Sequence, residues 1–298
     1  MIFLKKDDSN GGTNVELLTL ISEGNSLAIV QVKLHNMHQF RNCIFNTVFI
    51  DIETVSQKRD WEDLSPSMKN LWSHKTNSIS RYQDLNLTLD LEKNLYHKKA
   101  AIYAEFGKII CISIGMFYRR NGEVELYRKS FCGDSEQDLL EDFLKLVAQE
   151  FNDSNRFYFC GHNIREFDVP YICRRALVNG LKLPSTLQIS GKKSWQLQHF
   201  LDTLQLWKFG DYKHYTSLSL MCELFDIASP KDKMDGAQVG TTYYDEEDLD
   251  KIRLYCEQDV KAVAYLFAKM IGREDIEKSV TRPVEIRNLE KVTTAIAS

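Results

Sequence analysis

Hydrophobic and polar positions change rhythm along this chain, from strand-like runs in the first half to helical stripes in the second. Thr47–Ile52 (TVFIDI) and Ile109–Met116 (IICISIGM) are β-branched, apolar runs of the kind that form buried strands. Glu123–Phe131 alternates apolar and polar and predicts a third strand with one wetter face. Phe157–Gly161 (FYFCG) predicts a fourth, buried one. Ser135–Phe151 switches to helical period: Leu139, Leu140, Phe143, Leu144 and Val147 share one face, and acids occupy the first turn. Further helices are predicted over Asp168–Asn179, stopped at Gly180; over Thr203–Lys208, capped by Asp202; and over Ser217–Phe225, capped by Thr216. A last long helix is predicted from Glu246 to Ile271, capped by Asp245 and buried through Ile252, Cys256, Val260, Val263 and Phe267. Before Phe45 the pattern is weaker: Ser9–Asn14 reads as a turn or linker, Val15–Ile21 as a short helix and Leu27–Leu34 as a short strand. Strands first and helices after suit a mixed sheet with helices on both faces. The tail after Gly272 is polar and expected to be loosely ordered.

Composition narrows the class. At 298 residues, 43% hydrophobic and 27% charged, the chain has room for one large domain or two small ones, with a core that needs no disulfide. Its seven cysteines are odd in number, form no C-x-x-C pair and mostly sit in apolar runs. They predict buried free thiols in a reducing cytoplasm, not a zinc site or a disulfide framework. No apolar stretch reaches the ~18 residues of a membrane span. The opening MIFLKKDDSNGG lacks the apolar core and cleavage site of a secretory signal. A net charge of −4 is not that of a general nucleic-acid coat protein. Phosphate affinity must be local, and cations held by clustered carboxylates are one source of it.

Carboxylates do cluster in pattern. Asp51 and Glu53 stand two apart at the end of a hydrophobic strand, so both project from one face. Two like charges at the edge of a core repel and lose hydration, and a divalent cation relieves both penalties. Alone, such a pair is more often a solvated strand end. A second segment, Gly161–Asp168 (GHNIREFD), follows a buried strand and opens a helix. Asp168 there is either a functional acid or a helix cap, and Asn163 either a ligand contact or a turn residue. A third segment, Tyr255–Asp259 (YCEQD), sets Tyr255 and Asp259 one turn apart on the last long helix.

Together these segments resemble the DnaQ-like exonuclease superfamily, in the DEDDy subclass with a tyrosine in its third motif. That pattern is D-x-E, then N-x-x-x-[F/Y]-D, then Y-x-x-x-D. It falls here on Asp51 and Glu53; Asn163, Phe167 and Asp168; Tyr255 and Asp259. AIYAEFGKIICISIG, GHNIREFDVPYICRRAL, LDTLQLWKFGDYKHYTSL and YCEQDV are similar to one bacterial family in particular, predicted exonucleases related to the exonuclease domain of B-family DNA polymerases. The likeness runs from about Ile44 to Ile271. It implies a ribonuclease-H-like α/β fold: a mixed five-stranded sheet flanked by helices, with a largely helical insertion after the first core strand. It implies a domain over 44–272 with the insertion at 55–104, an N-terminal extension over 1–43 and a tail over 273–298. Residues 1–36 have no counterpart in the family, which makes Met37 the expected native start.

The activity implied is 3′→5′ hydrolysis of single-stranded DNA to nucleoside 5′-monophosphates, with two Mg²⁺ or Mn²⁺ ions on Asp51, Glu53, Asp168 and Asp259. Tyr255 would orient the attacking water. Thr54, Asn163, Phe167, Lys208, Tyr212 and Lys213 are the candidate substrate contacts. Lys208–Tyr215 (KFGDYKHY) interleaves basic and aromatic residues and reads equally as a nucleic-acid grip or a solvated loop. Arg174, Arg175, Lys192 and Lys193 either extend that track or are plain surface. Phe167 either packs under Asp168 or wedges a terminal base, and Trp195 and Trp207 are expected in the core. RNA in place of DNA, or a non-catalytic nucleic-acid-binding subunit, are the alternatives.

Overall fold

A computed structural model describes residues 2–7, 14–19, 40–82, 88–211, 215–228, 234, 236–276 and 280–283. The chain divides into two units, Met1–Asn42 and Cys43–Ser298. In the first, β1 (Ile2–Asp7) pairs antiparallel with β2 (Asn14–Thr19), Ile2 opposite Thr19. Of the helix predicted over Val15–Ile21, the described part, Val15–Thr19, is therefore strand. One so short is well below the ~12–15 residues an isolated helix needs, whereas pairing with β1 satisfies the backbone at once. Leu27–Leu34 and Met37 lie outside the described residues.

The second unit is built on a mixed sheet of β3 (Thr47–Ser56), β4 (Gly107–Arg120), β5 (Glu123–Cys132), β6 (Tyr158–Gly161), β7 (Phe200–Asp202) and β8 (Val280–Pro283). Their order is β7-β6-β3-β4-β5-β8. β3, β4 and β5 are antiparallel neighbours; β6 lies parallel to β3, β7 to β6 and β8 to β5. Five of these strands are the expected core. β8 adds an edge strand from the tail expected to be loose. β4 runs past Met116 because Asn121 (φ 52°) and Gly122 (φ 84°) form a tight two-residue turn that carries pairing to Arg120 and Glu123.

The helices are α1 (Pro66–Tyr82), α2 (Leu89–Lys99), α3 (Glu136–Glu150), α4 (Asp168–Val178), α5 (Thr203–Lys208), α6 (Leu218–Leu224), α7 (Val239–Tyr244) and α8 (Leu249–Met270). Strand alternation divides them between two faces. Val48, Ile50 and Ile52 share a core with Leu140, Phe143 and Val147 of α3 and Val169, Ile172 and Ala176 of α4. Phe49 faces the other way, its ring 5.6 Å from Phe117 and 6.0 Å from Phe267 of α8. The predicted stripe of α8, from Ile252 to Phe267, is buried. Its start is not where predicted. Glu247 takes a positive φ of 52°, so the helix begins at Leu249 under an Asp248 cap, and Asp245 closes α7 instead. Ser217, not Thr216, caps α6 by accepting the Leu220 amide at 3.3 Å.

β3 continues through Val55 to Ser56, so the helical excursion begins after Ser56 and returns at Gly107. It carries a small core of its own, where Trp72 packs 4.9 Å from Phe106 and 5.4 Å from Tyr96. One carbonyl fastens it to the sheet: Ala101 accepts from the Thr54 hydroxyl at 2.9 Å and the Tyr171 hydroxyl at 2.8 Å. Behind it, buried Glu136 accepts from the Ile109 amide at 2.7 Å and from Arg175 Nε at 2.8 Å, tying α3, α4 and β4. Arg175 is thus an internal tie and not part of a surface track.

Cys111 and Cys132 face each other across β4 and β5 and are joined in a disulfide, which corrects the expectation of free thiols at both. Cys43, Cys160, Cys173, Cys222 and Cys256 are free and buried. Among the described residues no helix is long and apolar enough to cross a membrane.

Gly107 sits under the Ala101 fastening. A Cβ there would run into the Tyr171 hydroxyl and stand 2.8 Å from the Ala101 oxygen and 3.0 Å from the Val55 oxygen. Tyr171 is 1% exposed and has nowhere to go. Gly107→Ala is expected to cost about 1–3 kcal/mol, read from the urea midpoint, and an unchanged midpoint would contradict it.

Candidate active site

The alternation that seats Phe49 on Phe267 turns Asp51 and Glu53 to the same face of β3. β3 and α8 run in opposite senses, so moving from Phe49 to Asp51 moves from Phe267 back to Cys256. The Cys256 thiol donates to the Asp51 carbonyl at 3.4 Å and lies 3.5 Å from Asp51 Oδ2. Asp51 is half-buried and Glu53 is 7% exposed. Right after the acids, between Glu53 and Thr54, the β3–β4 register shifts, an irregularity that re-aims side chains.

β6 makes its last pair with β3 at Cys160 and Phe49, and the chain turns after Gly161. Asn163 makes the turn with φ 70°, a left-handed conformation that asparagine tolerates. Its carbonyl accepts the Glu166 amide at 3.2 Å and the Phe167 amide at 3.0 Å. Asp202 clamps the turn from β7: its carboxylate accepts the amides of Asn163 (3.0 Å), Arg165 (3.2 Å) and Leu204 (3.0 Å). The predicted helix cap is therefore also the anchor of this loop. Asp168 opens α4, 4% exposed, and accepts the backbone amide of Ile52, the residue between the two β3 acids.

From α8, Tyr255 and Asp259 are 9% and 8% exposed, and the Tyr255 hydroxyl hydrogen-bonds to Asp259. Burial pushes Asp51 well above the usual carboxylate range, and Asp259, Glu53 and Asp168 push it further. Glu53 is raised in the same way by burial and then by Asp259 and Asp168. Asp168 is raised to about 7, first by burial; the amide hydrogen bonds oppose this, and Asp202 and Asp259 add to it. Burial, then Asp259, Glu53 and Asp51, push Tyr255 far up, so its hydroxyl keeps its proton.

These side chains form one electrostatic unit. Among the described residues no lysine or arginine pairs with Asp51, Glu53 or Asp168. Buried acids of this kind hold protons or a cation. Hard carboxylate oxygens suit Mg²⁺ or Mn²⁺, so the donor set fits a divalent ion. Asp51, Glu53 and Cys256 each bring one potential ligand atom within 4.8 Å of the others. The Asn163 side-chain oxygen is buried with no hydrogen-bond partner among the described residues.

A mixed sheet of this order with helices on both faces defines a ribonuclease-H-like α/β domain, and its acids gather where β3 and β6 end. The chain belongs to the family described as "Predicted 3'-5' exonuclease related to the exonuclease domain of PolB", whose model matches residues 101–296. The matched stretch contains Asp168, Tyr255 and Asp259; Asp51 and Glu53 precede it. It begins later than the expected Ile44 and runs past Ile271. No curated protein matches the chain.

The other candidates divide. The Thr54 hydroxyl is engaged with Ala101, and Phe167 is half-buried with its ring 5.4 Å from Tyr171. Lys208 is half-buried at the end of α5, and Tyr212 and Lys213 lie outside the described residues. Arg174, Lys192 and Lys193 are exposed. Trp195, expected in the core, is 69% exposed in a single turn where nothing covers it; Trp207 is half-buried 6.0 Å from Phe225. Cys256 and the loop-clamping role of Asp202 were not expected. One reads as core by its helical spacing, the other as a plain cap.

Carboxyl groups raised on folding make the folded, metal-free chain bind more protons than the unfolded one. For Asp168 the window runs from its ordinary value of 3.8 to about 7, and stability falls as pH rises through it. Asp168→Asn is expected to flatten that fall and to raise the metal-free Tm at about pH 8 by roughly 3–8 °C. Mg²⁺ or Mn²⁺ should recover more stability in the wild type than in the variant, which keeps the other three acids. Thermal melts after chelation check this, and equal pH slopes for the two proteins would contradict it.

Proposed function

We propose that this protein is a metal-dependent exonuclease of the DEDDy type that trims single-stranded DNA from its 3′ end. The observation that carries the reading is the meeting of Asp51, Glu53, Asp168 and Asp259: the last three raise the pKa of Asp51, and Asp168 and Asp259 raise that of Glu53. Asp51, Glu53 and Asp259 would hold one Mg²⁺ or Mn²⁺ ion, and Asp51 with Asp168 a second. A bound pair of this kind activates water and neutralises charge on the phosphate. Tyr255, its hydroxyl proton given to Asp259, would orient the attacking water by accepting a hydrogen bond from it with the hydroxyl oxygen. Asp202 keeps Asp168 in register by holding its loop, and the Ile52 amide fixes the carboxylate. Hydrolysis breaks the last phosphodiester bond and leaves a nucleoside 5′-monophosphate and a shorter strand.

Thr54, Asn163, Phe167, Lys208, Tyr212 and Lys213 remain the proposed substrate contacts. The domain limits proposed are 44–272 for the nuclease, 1–43 for the extension and 273–298 for the tail, whose residues 280–283 form β8. A cytoplasmic location is proposed on the five buried free thiols, although the Cys111–Cys132 pair does not favour it.

End-labelled single-stranded DNA and RNA of matched sequence, with Mg²⁺ or Mn²⁺, test the reading. Mononucleotide release from DNA is expected, and faster release from RNA would reassign the polymer. Alanine at Asp51, Glu53, Asp168 or Asp259 should cut turnover ~10³-fold or more, and Tyr255→Phe by less. Wild-type turnover in Asp51→Ala would overturn the assignment.

A further inference from the structure

His162, next to Asn163 on the site loop, bridges two other elements. Its Nε2 lies 2.8 Å from the Thr216 carbonyl and its Nδ1 2.9 Å from Thr203 Oγ1. A carbonyl only accepts, so Nε2 carries the proton and Nδ1 takes the Thr203 hydroxyl. Burial lowers the imidazole pKa, which keeps the ring neutral and this tautomer in place. The backbone directly after Tyr215 is thereby bolted to the loop that presents Asp168.

Tyr215 is held beside this bolt, its ring 6.2 Å from the His162 ring and inclined at 72°. The residue is nonetheless 66% exposed. Burial raises the pKa of its hydroxyl, and Asp168, Asp202, Asp51 and Asp259 raise it further. An open aromatic face therefore stands against the loop that presents Asp168, near enough to the acids to feel their charge. A pocket that takes a terminal phosphodiester leaves the attached sugar and base at its mouth. Stacking on an aromatic ring suits that base and is indifferent to its identity.

We propose that Tyr215 is the platform on which the 3′-terminal base stacks during hydrolysis. The inference rests on the exonuclease reading. It adds a contact that positions the strand end without reading its sequence.

Wild type, Tyr215→Phe and Tyr215→Ala should be compared on single-stranded DNA ending in a normal or an abasic nucleotide. On normal ends Tyr215→Ala is expected to raise KM about 10- to 100-fold, with a much smaller change in kcat, and Tyr215→Phe to recover most of the loss. On abasic ends the penalty of Tyr215→Ala should vanish. A 3′-terminal 2-aminopurine, with Ca²⁺ replacing Mg²⁺ to hold the strand uncut, should be quenched by wild type and Tyr215→Phe but not by Tyr215→Ala. An unchanged KM and unchanged quench in Tyr215→Ala would overturn the inference and leave the exonuclease reading standing. So would a KM penalty that persists on abasic ends. A wild type that releases no mononucleotide with either metal would instead remove the reading itself, and the inference with it.

Discussion

Carboxylates taken out of water repel one another across a short distance, and each is also penalised for its lost hydration. Asp51, Glu53, Asp168 and Asp259 are held in that condition, and their neighbours relieve it only in part. The Ile52 amide gives Asp168 one hydrogen bond, and the Tyr255 hydroxyl gives Asp259 another. Relief is completed by protons or by a divalent ion. Charge that folding alone leaves unbalanced is available to attract a cation, and through it a phosphate.

Holding such a cluster together requires restraint from outside it. Phe49 against Phe267 sets β3 against α8, and the period of the strand does the rest. Asp202 grips the loop before Asp168 through two amides at once. The Ala101 carbonyl joins Thr54, directly after Glu53, to Tyr171, one turn into the Asp168 helix. The insertion is therefore continuous with the walls of the site. The Glu136–Arg175 pair performs the same service one turn further along α4. A buried pair of that kind contributes little net stability but fixes geometry.

Much of this was legible in the sequence. Long strands and strongly periodic helices declare themselves because burial imposes a period on them, as in β3 and α3. Carboxylates at i and i+2 on a strand, or a tyrosine and an aspartate at i and i+4 on a helix, are legible for the same reason. What escaped was decided by tertiary contacts. Phe200–Asp202 is too short to show a period, and Val280–Pro283 becomes a strand only beside β5. Val15–Thr19 reads as helix until β1 supplies a partner. The start of α8 depends on one positive φ at Glu247, and the cap of α6 on Thr216 being engaged by His162. Cys256 carries an apolar spacing and so hides among core residues. Trp195 shows the reverse error, since a large aromatic is not buried where the fold lays nothing over it.

The central claim is a cation site formed by residues from three separate segments. A crystal of the protein soaked in Mn²⁺ and measured at the manganese absorption edge addresses it directly. Anomalous density within coordinating distance of Asp51, Glu53, Asp168 and Asp259 together is the result the account predicts. Manganese bound elsewhere, with these four side chains left uncoordinated, would contradict it.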